Sequence, residues 1–380
     1  MQGGGAERVI TVLSDMLVKN GYDVSVIVTS DIKGNSRLEL LNPEVKTFFL
    51  TDYEEEHHSF ASKSLLFVAR VFGKLGLSEY SSILKYRSRN IGKVKALKRL
   101  LKLSGGSAVI SFLNEPIFLS LLAKGKNKVI ISERNNPEEF VKTKTTMAFI
   151  HKMYPKADIM VCQSPDAQKW YNNNSSVKTT VIYNPIKTDL PEPYAGARNR
   201  KIVNYCRIAS EKNLALLITA FALIKEEYSE YELFIYGNAI GKAGDDYLKD
   251  INGIIKEKNL CDSVHILPAR NDIHDVIKDC AMFVSSSDFE GMSNSMLEAM
   301  AMGMPCVCTD CPAGGARAVI TDHVNGILTP VGDAEALYQA MKELIDNPEL
   351  ANRLGENAVK VREEQSTEKI IKKWMELIDG

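Results

Sequence analysis

Hydrophobic and polar positions along this chain follow two alternating rhythms. Short β-branched runs recur at residues 23–29, 45–50, 108–112, 129–132, 159–162 and 181–183. Between several of them lie helical patterns, as where Val9, Val12, Leu13, Met16 and Leu17 mark one face of residues 7–19. Strands alternating with helices predict a parallel, doubly wound sheet. Residues 184–200 break the rhythm with Pro185, Pro191, Pro193 and Gly196 and little apolar content, which reads as a linker.

The alternation then restarts. Strands are predicted at 202–205, 232–236, 263–267, 282–285 and 305–309, with helices at 213–227, 245–258, 272–279 and 294–302. The expected architecture is α/β: two Rossmann-like, doubly wound domains facing across a cleft, with the carboxyl ends of their strands pointing into it. The division expected is a first domain at 1–186, a linker at 187–200, a second domain at 201–365 and a terminal helix within 366–380. That helix carries Ile370, Ile371, Trp374 and Leu377 as an apolar face for docking on one of the domains.

Composition narrows the class. With 380 residues, 45% hydrophobic and 25% charged, the chain has globular proportions, which excludes disordered, collagen-like and small disulfide-stapled classes. Its 7 cysteines, none before Cys162, are distributed like reduced core thiols of a cytosolic protein. Cys306, Cys308 and Cys311 lack metal-ligand spacing, and His57 and His58 follow an acidic patch in a loop. No apolar run approaches the ~18 residues of a membrane span, so any membrane contact is expected to be peripheral.

The net charge of −1 conceals an asymmetry. Residues 1–190 carry 27 Lys and Arg against 18 Asp and Glu, a balance of +9, whereas residues 191–380 carry 20 against 30, a balance of −10. A basic first half favours phosphates, nucleic acid or an anionic membrane surface. Residues 85–102 concentrate that charge: Lys85, Arg87, Arg89, Lys93, Lys95, Lys98, Arg99 and Lys102 occur with no acidic residue, around an apolar stripe of Ile91, Val94, Leu97 and Leu101. The pattern predicts one basic amphipathic helix, either a solvated face or a docking surface for anionic lipid or a lipid-linked pyrophosphate.

Three segments could carry chemistry. At 285–298 a strand ends in a polar loop holding Glu290 and Gly291, and a helix opens near Ser293 and Asn294, both good N-cap residues. Its free amides, from Met292 to Ser295, and its positive dipole end suit a diphosphate, and Glu298 one or two turns on suits ribose hydroxyls. The alternative is a capped helix with a solvated glutamate. After the strand at 202–205, Arg207 and Lys212 stand in a loop where two cations can clamp a diphosphate, although a plain surface loop would look the same. Gly3, Gly4 and Gly5 precede the first helix, allowing backbone to approach a ligand or forming a flexible terminus.

With these residues in hand, the chain resembles the retaining glycosyltransferases of family 4 (group 1), which have the two-domain GT-B fold. Residues 3–9 resemble that family's acceptor-side glycine loop, and 207–213 its R-x-x-x-x-K-N donor-diphosphate motif. Glu290 to Glu298 resembles its E-x7-E signature. Residues 309–315, 325–333, 131–137 and 182–186 look like the members that build capsules, exopolysaccharides and lipid-linked oligosaccharides. The resemblance implies a donor site of Arg207, Lys212, Gly237, Met292, Ser293, Asn294, Ser295 and Glu298. Glu290 would be the sugar-facing catalytic carboxylate, with Arg207 and Lys212 stabilising the leaving diphosphate. Gly3, Gly4, Gly5, Arg134, Lys93, Lys95, Lys98 and Arg99 would serve the acceptor side.

It further implies a nucleotide sugar, UDP-linked, as donor of a hexose or N-acetylhexosamine, and a lipid-linked or saccharide acceptor. Retention at the anomeric carbon, independence of metals and of added cofactors, no nucleic-acid partner, and a place at the cytoplasmic face of the membrane go with it. Three departures stand out. No strand precedes the glycine loop; Arg134 occupies a position where many relatives have histidine; and Cys206 replaces a glycine, while Leu267-Pro-Ala269 replaces a glycine-containing turn. The absent strand keeps open a catalytically silent GT-B-like partner subunit or binding protein. A nucleotide-sugar epimerase of similar fold is a further alternative, disfavoured by the basic helix.

Overall fold

A computed structural model describes residues 5–29, 38–54, 59–105, 108–134 and 136–380. The chain divides into two compact units, one formed by residues 3–183 with 370–380 and the other by residues 184–369.

In the first unit the helices are α1 (Gly5–Lys19), α2 (Ser59–Lys74), α3 (Ser78–Arg89), α4 (Ile91–Leu103), α5 (Asn114–Ala123), α6 (Pro137–Phe140), α7 (Lys144–Lys152) and α8 (Pro165–Asn174). Its strands are β1 (Ser25–Val28), β2 (Lys46–Phe49), β3 (Ala108–Phe112), β4 (Lys128–Ser132), β5 (Ile159–Cys162) and β6 (Thr179–Val181). Every pairing is parallel, but among the described residues the sheet lies in two pieces, a β1–β2 pair and a β3-β4-β5-β6 quartet.

Alternation along the quartet's strands sends neighbours to opposite faces. Ile130 and Val161 pack with Val9, Leu13 and Leu17 of α1, whereas Val129, Ile131 and Met160 pack with Ile117, Phe118 and Phe149. Both faces are covered, as parallel sheets require. The terminal helix adds Ile370, Ile371 and Trp374 to the α1 side.

The second unit contains β7 (Lys201–Tyr205), β8 (Glu232–Tyr236), β9 (Val264–Leu267), β10 (Met282–Ser285), β11 (Cys306–Thr309) and β12 (Ile327–Thr329). Its helices are α9 (Leu214–Glu227), α10 (Gly241–Glu257), α11 (Ile273–Ile277), α12 (Asn294–Ala301), α13 (Ala334–Asp346), α14 (Pro348–Ala358) and α15 (Val361–Glu364), and α16 (Thr367–Asp379) leads back to the first unit. The all-parallel order β9-β8-β7-β10-β11-β12 is the doubly wound 3-2-1-4-5-6 order, whose direction reverses between β7 and β10. Ligands of such sheets bind outside the carboxyl ends of the strands at that reversal.

Two expectations change. Residues 85–102 form parts of two helices, not one, because the chain breaks at Asn90, which ends α3 and precedes α4. The apolar stripe of α4 is buried: Val94, Leu97, Leu100 and Leu101 pack against Leu50, Leu119 and Ala123. Residues 187–200 are fastened to the second unit. Arg198 donates to the carbonyls of Lys278, Cys280 and Gly303, and Arg362 donates to that of Pro191. Arginine-to-carbonyl bonds leave no hydrophobic periodicity, so the segment looked like a tether.

Candidate active site

The two loops at the reversal point are tied together. After β7 the chain makes a 3-10 turn at Ser210–Lys212, and Asn213, in the left-handed region at φ 41°, caps α9 by accepting from the Leu216 amide. After β10, Ser286 Oγ lies 3.0 Å from the Lys212 carbonyl and 2.9 Å from that of Asn213. Asn213 Nδ2 donates to Asp288 Oδ1 at 2.7 Å, and the Asp288 amide donates to the Glu211 carbonyl at 3.0 Å. The motif residues at 207–213 and 286–290, about 75 positions apart in the chain, are thereby fixed beside one another.

Within that frame the Lys212 ammonium donates directly to Glu290, and the Arg207 guanidinium donates to Glu211. Burial alone would lower the Lys212 pKa, but the neighbouring Glu290 carboxylate outweighs it and holds the ammonium above the ordinary lysine range. Burial would raise the Glu211 carboxyl, yet its backbone hydrogen bond and Arg207 hold it below the ordinary range. Arg207 is half exposed and Lys212 is largely covered, so the two cations have unlike solvation.

The α12 amino end opens beside these loops. Ser293 is its N-cap, accepting from the Met296 amide at 3.4 Å, and no acidic residue occupies the first turn. Asn184 holds this opening from the flank, donating to the Met292 carbonyl at 3.1 Å and to Asn294 Oδ1 at 2.9 Å. Tyr205 at the end of β7 donates its hydroxyl to the Ser295 carbonyl at 2.7 Å.

Two glycines permit the close approaches that this arrangement needs. A Cβ on Gly315 would lie 1.5 Å from the Gly291 carbonyl oxygen, so the loop after β11 can press against the Glu290 loop only without a side chain there. A Cβ on Gly237 would lie 1.9 Å from the Cys206 carbonyl oxygen, at the adjoining ends of β8 and β7.

Glu298 is buried in the α12 face and accepts from His274 Nε2 of α11 at 2.7 Å. The expectation of a glutamate turned back toward a ligand therefore gains a protein partner. His274 is a residue that sequence reasoning missed, since it lies 24 positions from Glu298 within a five-residue helix. Asn184 was visible only as part of a motif.

The acceptor-side candidates all belong to the first unit. Gly3 and Gly4 lie outside the described residues, and Gly5 opens α1. Lys93, Lys95, Lys98 and Arg99 are on α4, with Lys93 Nζ paired to Glu115 Oε1 at 2.6 Å. Arg134 is buried, not displayed: its guanidinium lies 4.8 Å from the centre of the Phe112 ring, and burial lowers its pKa to about 9. Beside it Glu133 is also buried, accepting from the Tyr154 hydroxyl at 2.6 Å, and burial pushes its carboxyl up to about 7. Among the described residues no group of three His, Cys, Asp or Glu side chains is arranged to hold a metal ion.

Residues 189–361 match the family model described as "Glycosyl transferases group 1", which spans β7 to α15 and every donor-side residue named above except Asn184. The second unit thus matches the group 1 glycosyltransferases, and the fold of the chain is GT-B, of two Rossmann-like units. The chain is 27% identical over 376 residues to N-acetylgalactosamine-N,N'-diacetylbacillosaminyl-diphospho-undecaprenol 4-alpha-N-acetylgalactosaminyltransferase of Campylobacter jejuni, covering 94% of this chain and 91% of that protein. An uncharacterized glycosyltransferase of Haemophilus influenzae is 25% identical over 98% of this chain and 95% of its own length. The crystal structure of Anabaena HepE in complex with UDP and glucose superposes with a TM-score of 0.78 at 18% identity, covering all of this chain and 97% of that one.

Proposed function

We propose that this glycosyltransferase moves a hexose or N-acetylhexosamine from a UDP-linked donor to a lipid-linked or polysaccharide acceptor, with retention at the anomeric carbon. The observation that carries the reading is the junction of Lys212, Glu290 and the α12 amino end at the reversal of the second unit's sheet. The Campylobacter relative, named for an undecaprenol-linked substrate and an alpha linkage, supports the acceptor class and the stereochemistry.

In the proposed reaction the bond between the anomeric carbon and the UDP oxygen breaks, and a bond to the acceptor oxygen forms on the same face. The acceptor hydroxyl's proton passes to a β-phosphate oxygen of the departing UDP. Negative charge grows on the diphosphate as the sugar becomes oxocarbenium-like, so the catalytic contribution is charge stabilisation more than base strength. Arg207, Lys212 and the α12 amides supply it, with no metal or cofactor. Entry of the diphosphate exchanges the Lys212–Glu290 contact for one between Lys212 and phosphate. This frees Glu290 toward the sugar, while Glu298 accepts from the ribose hydroxyls.

The setting proposed is the cytoplasmic surface of a membrane, touched peripherally. No described helix is long and apolar enough to cross one. The reading is tested by thermal shift against UDP- and GDP-sugars, because a ligand at 100 times its dissociation constant stabilises by about 2.7 kcal/mol. A UDP-sugar should raise the melting temperature of the parent and not of an Arg207→Ala, Lys212→Ala variant. Equal shifts in both proteins would contradict the donor site.

A further inference from the structure

Asn213 uses both ends of one carboxamide. Its Oδ1 accepts from the Leu216 amide at 3.1 Å, capping α9, and its Nδ2 donates at 2.7 Å to Asp288 Oδ1 in the loop after β10. It reaches both because its backbone is left-handed, at φ 41° and ψ 49°, a conformation that glycine, asparagine and aspartate tolerate best. This turn falls directly after Lys212, so the residue that shapes the Lys212 loop also fastens it to the loop that carries Glu290.

Further bonds run between the same two loops. Ser286 is fully buried with its hydroxyl against the carbonyls of Lys212 and Asn213, and the Asp288 amide donates to the Glu211 carbonyl. All of these involve backbone groups or short side chains. The Lys212 ammonium and the Glu290 carboxylate take part in none of them. Two groups of opposite charge that meet at this point are therefore carried on backbones held together independently of their own contact.

Asn213 also removes a competing anion site. In doubly wound sheets the helix after the first strand of the 3-2-1-4-5-6 order commonly receives a pyrophosphate at its amino end. Here that helix is α9, and side chains already engage its opening: Asn213 takes the Leu216 amide, and the Tyr247 hydroxyl oxygen takes the Ala215 amide at 3.3 Å.

We propose that Asn213 and Asp288 are a pair of positioning residues for the diphosphate: their bond locks the Lys212 loop to the Glu290 loop, so that ammonium and carboxylate part around a phosphate while both backbones stay in place. The proposal rests on the donor site argued above and says what keeps that site in shape before the ligand arrives. A site whose charges are placed in advance loses nothing to reorganisation when negative charge grows on the leaving group.

The test is an exchange of polarity across the bond. Asn213→Asp keeps a good α9 cap and a residue that accepts the left-handed backbone, but it sets two carboxylates at hydrogen-bond distance. Asp288→Asn leaves an oxygen that still accepts from Asn213, and the double variant rebuilds the bond with donor and acceptor interchanged. At saturation, release of UDP from the UDP-sugar that most stabilises the parent should be about 10- to 100-fold slower in Asn213→Asp, the scale of a misplacement near 1 Å. Asp288→Asn should slow it by less than about threefold, and the double variant should return to within about threefold of the parent.

Calorimetric titration with UDP and melting curves accompany the rates. A bond that only stabilises the fold would lower the melting temperature and leave kcat and UDP affinity of the folded protein at parental values, which would overturn the proposal. So would a double variant that folds and is no better than Asn213→Asp. If Asn213→Asp does not fold, Asp288→Ala removes the bond from the opposite loop without adding charge, and parental kcat there overturns the proposal equally. The Arg207→Ala, Lys212→Ala variant is assayed in parallel. Parental UDP binding in that variant would defeat the donor site itself, whereas its loss there beside parental behaviour in Asn213→Asp would defeat the positioning pair alone.

Discussion

His274 Nε2 donates to Glu298 Oε2 across 2.7 Å, and both side chains are buried, so the carboxylate proposed for the ribose is held in place from α11. Changing His274 to Ala should destabilise the second unit by about 1 to 3 kcal/mol, the cost of removing a buried hydrogen-bond donor to a charged group. UDP affinity should fall as well, with partial recovery in His274→Asn. Urea denaturation and calorimetric titration measure the two effects; a stability loss with unchanged UDP affinity would make the pair purely structural.

Glu298→Gln and Glu290→Gln should separate binding from turnover. The first exchanges a charged acceptor for a neutral one and should weaken UDP by about 1 to 2 kcal/mol. The second alters a group proposed to face the sugar, so it should lower kcat while UDP binds nearly as before. Initial rates and UDP titrations on both variants check the split, and an unchanged rate in Glu290→Gln would remove that residue from the reaction.

Gly315→Ala places a methyl group against the Gly291 carbonyl, where the separation available is 1.5 Å. The loops must part, costing about 1 to 3 kcal/mol and displacing Glu290. Gly253→Ala, inside α10 with nothing within 4 Å of the new carbon, should instead stabilise by about 0.5 to 1 kcal/mol. Melting curves of the pair decide whether crowding, and not glycine replacement in general, is responsible.

Glu133 makes the stability of the first unit depend on pH. Burial raises its carboxyl to about 7 in the fold, whereas in the unfolded chain it titrates near ~4.3. Between those values the folded state holds the extra proton. Stability therefore falls as pH rises from about 4.3 to about 7, by a total of about 4 kcal/mol, and levels off above. Glu133→Gln should abolish this slope; a parent-like pH profile in that variant would assign the dependence to another group.

What the sequence displayed was what is local or periodic. Strands β7 to β11 of the second sheet, the capping of α12 by Ser293 and the E-x7-E spacing lie within short windows, and the fold places them in the expected order, whereas the three-residue β12 was too short to show. What it hid was contact across long separations. The His274–Glu298 bond, the Asn184 contact with Asn294 and the Lys212–Glu290 pair join residues 24, 110 and 78 positions apart. Residues 85–102 misled because charge and apolar spacing run through Asn90 unchanged, while the backbone breaks there. The helix α2 escaped because its apolar residues occupy both faces, one for α3 and one exposed, and so make no single stripe.

The central claim is that the diphosphate of a UDP-sugar is held by Arg207, Lys212 and the α12 amino end while the sugar is transferred with retention. It is tested most directly by incubating the parent and the Arg207→Ala, Lys212→Ala variant with a panel of UDP-sugars and an undecaprenyl-diphosphate-linked saccharide, then determining the anomeric configuration of the product by NMR. The account predicts an α-linked product from an α-linked donor with the parent. In the variant, turnover should be lost and UDP binding weakened by roughly 3 kcal/mol, about a hundredfold. A β-linked product, or a variant that binds UDP and turns over like the parent, would contradict it.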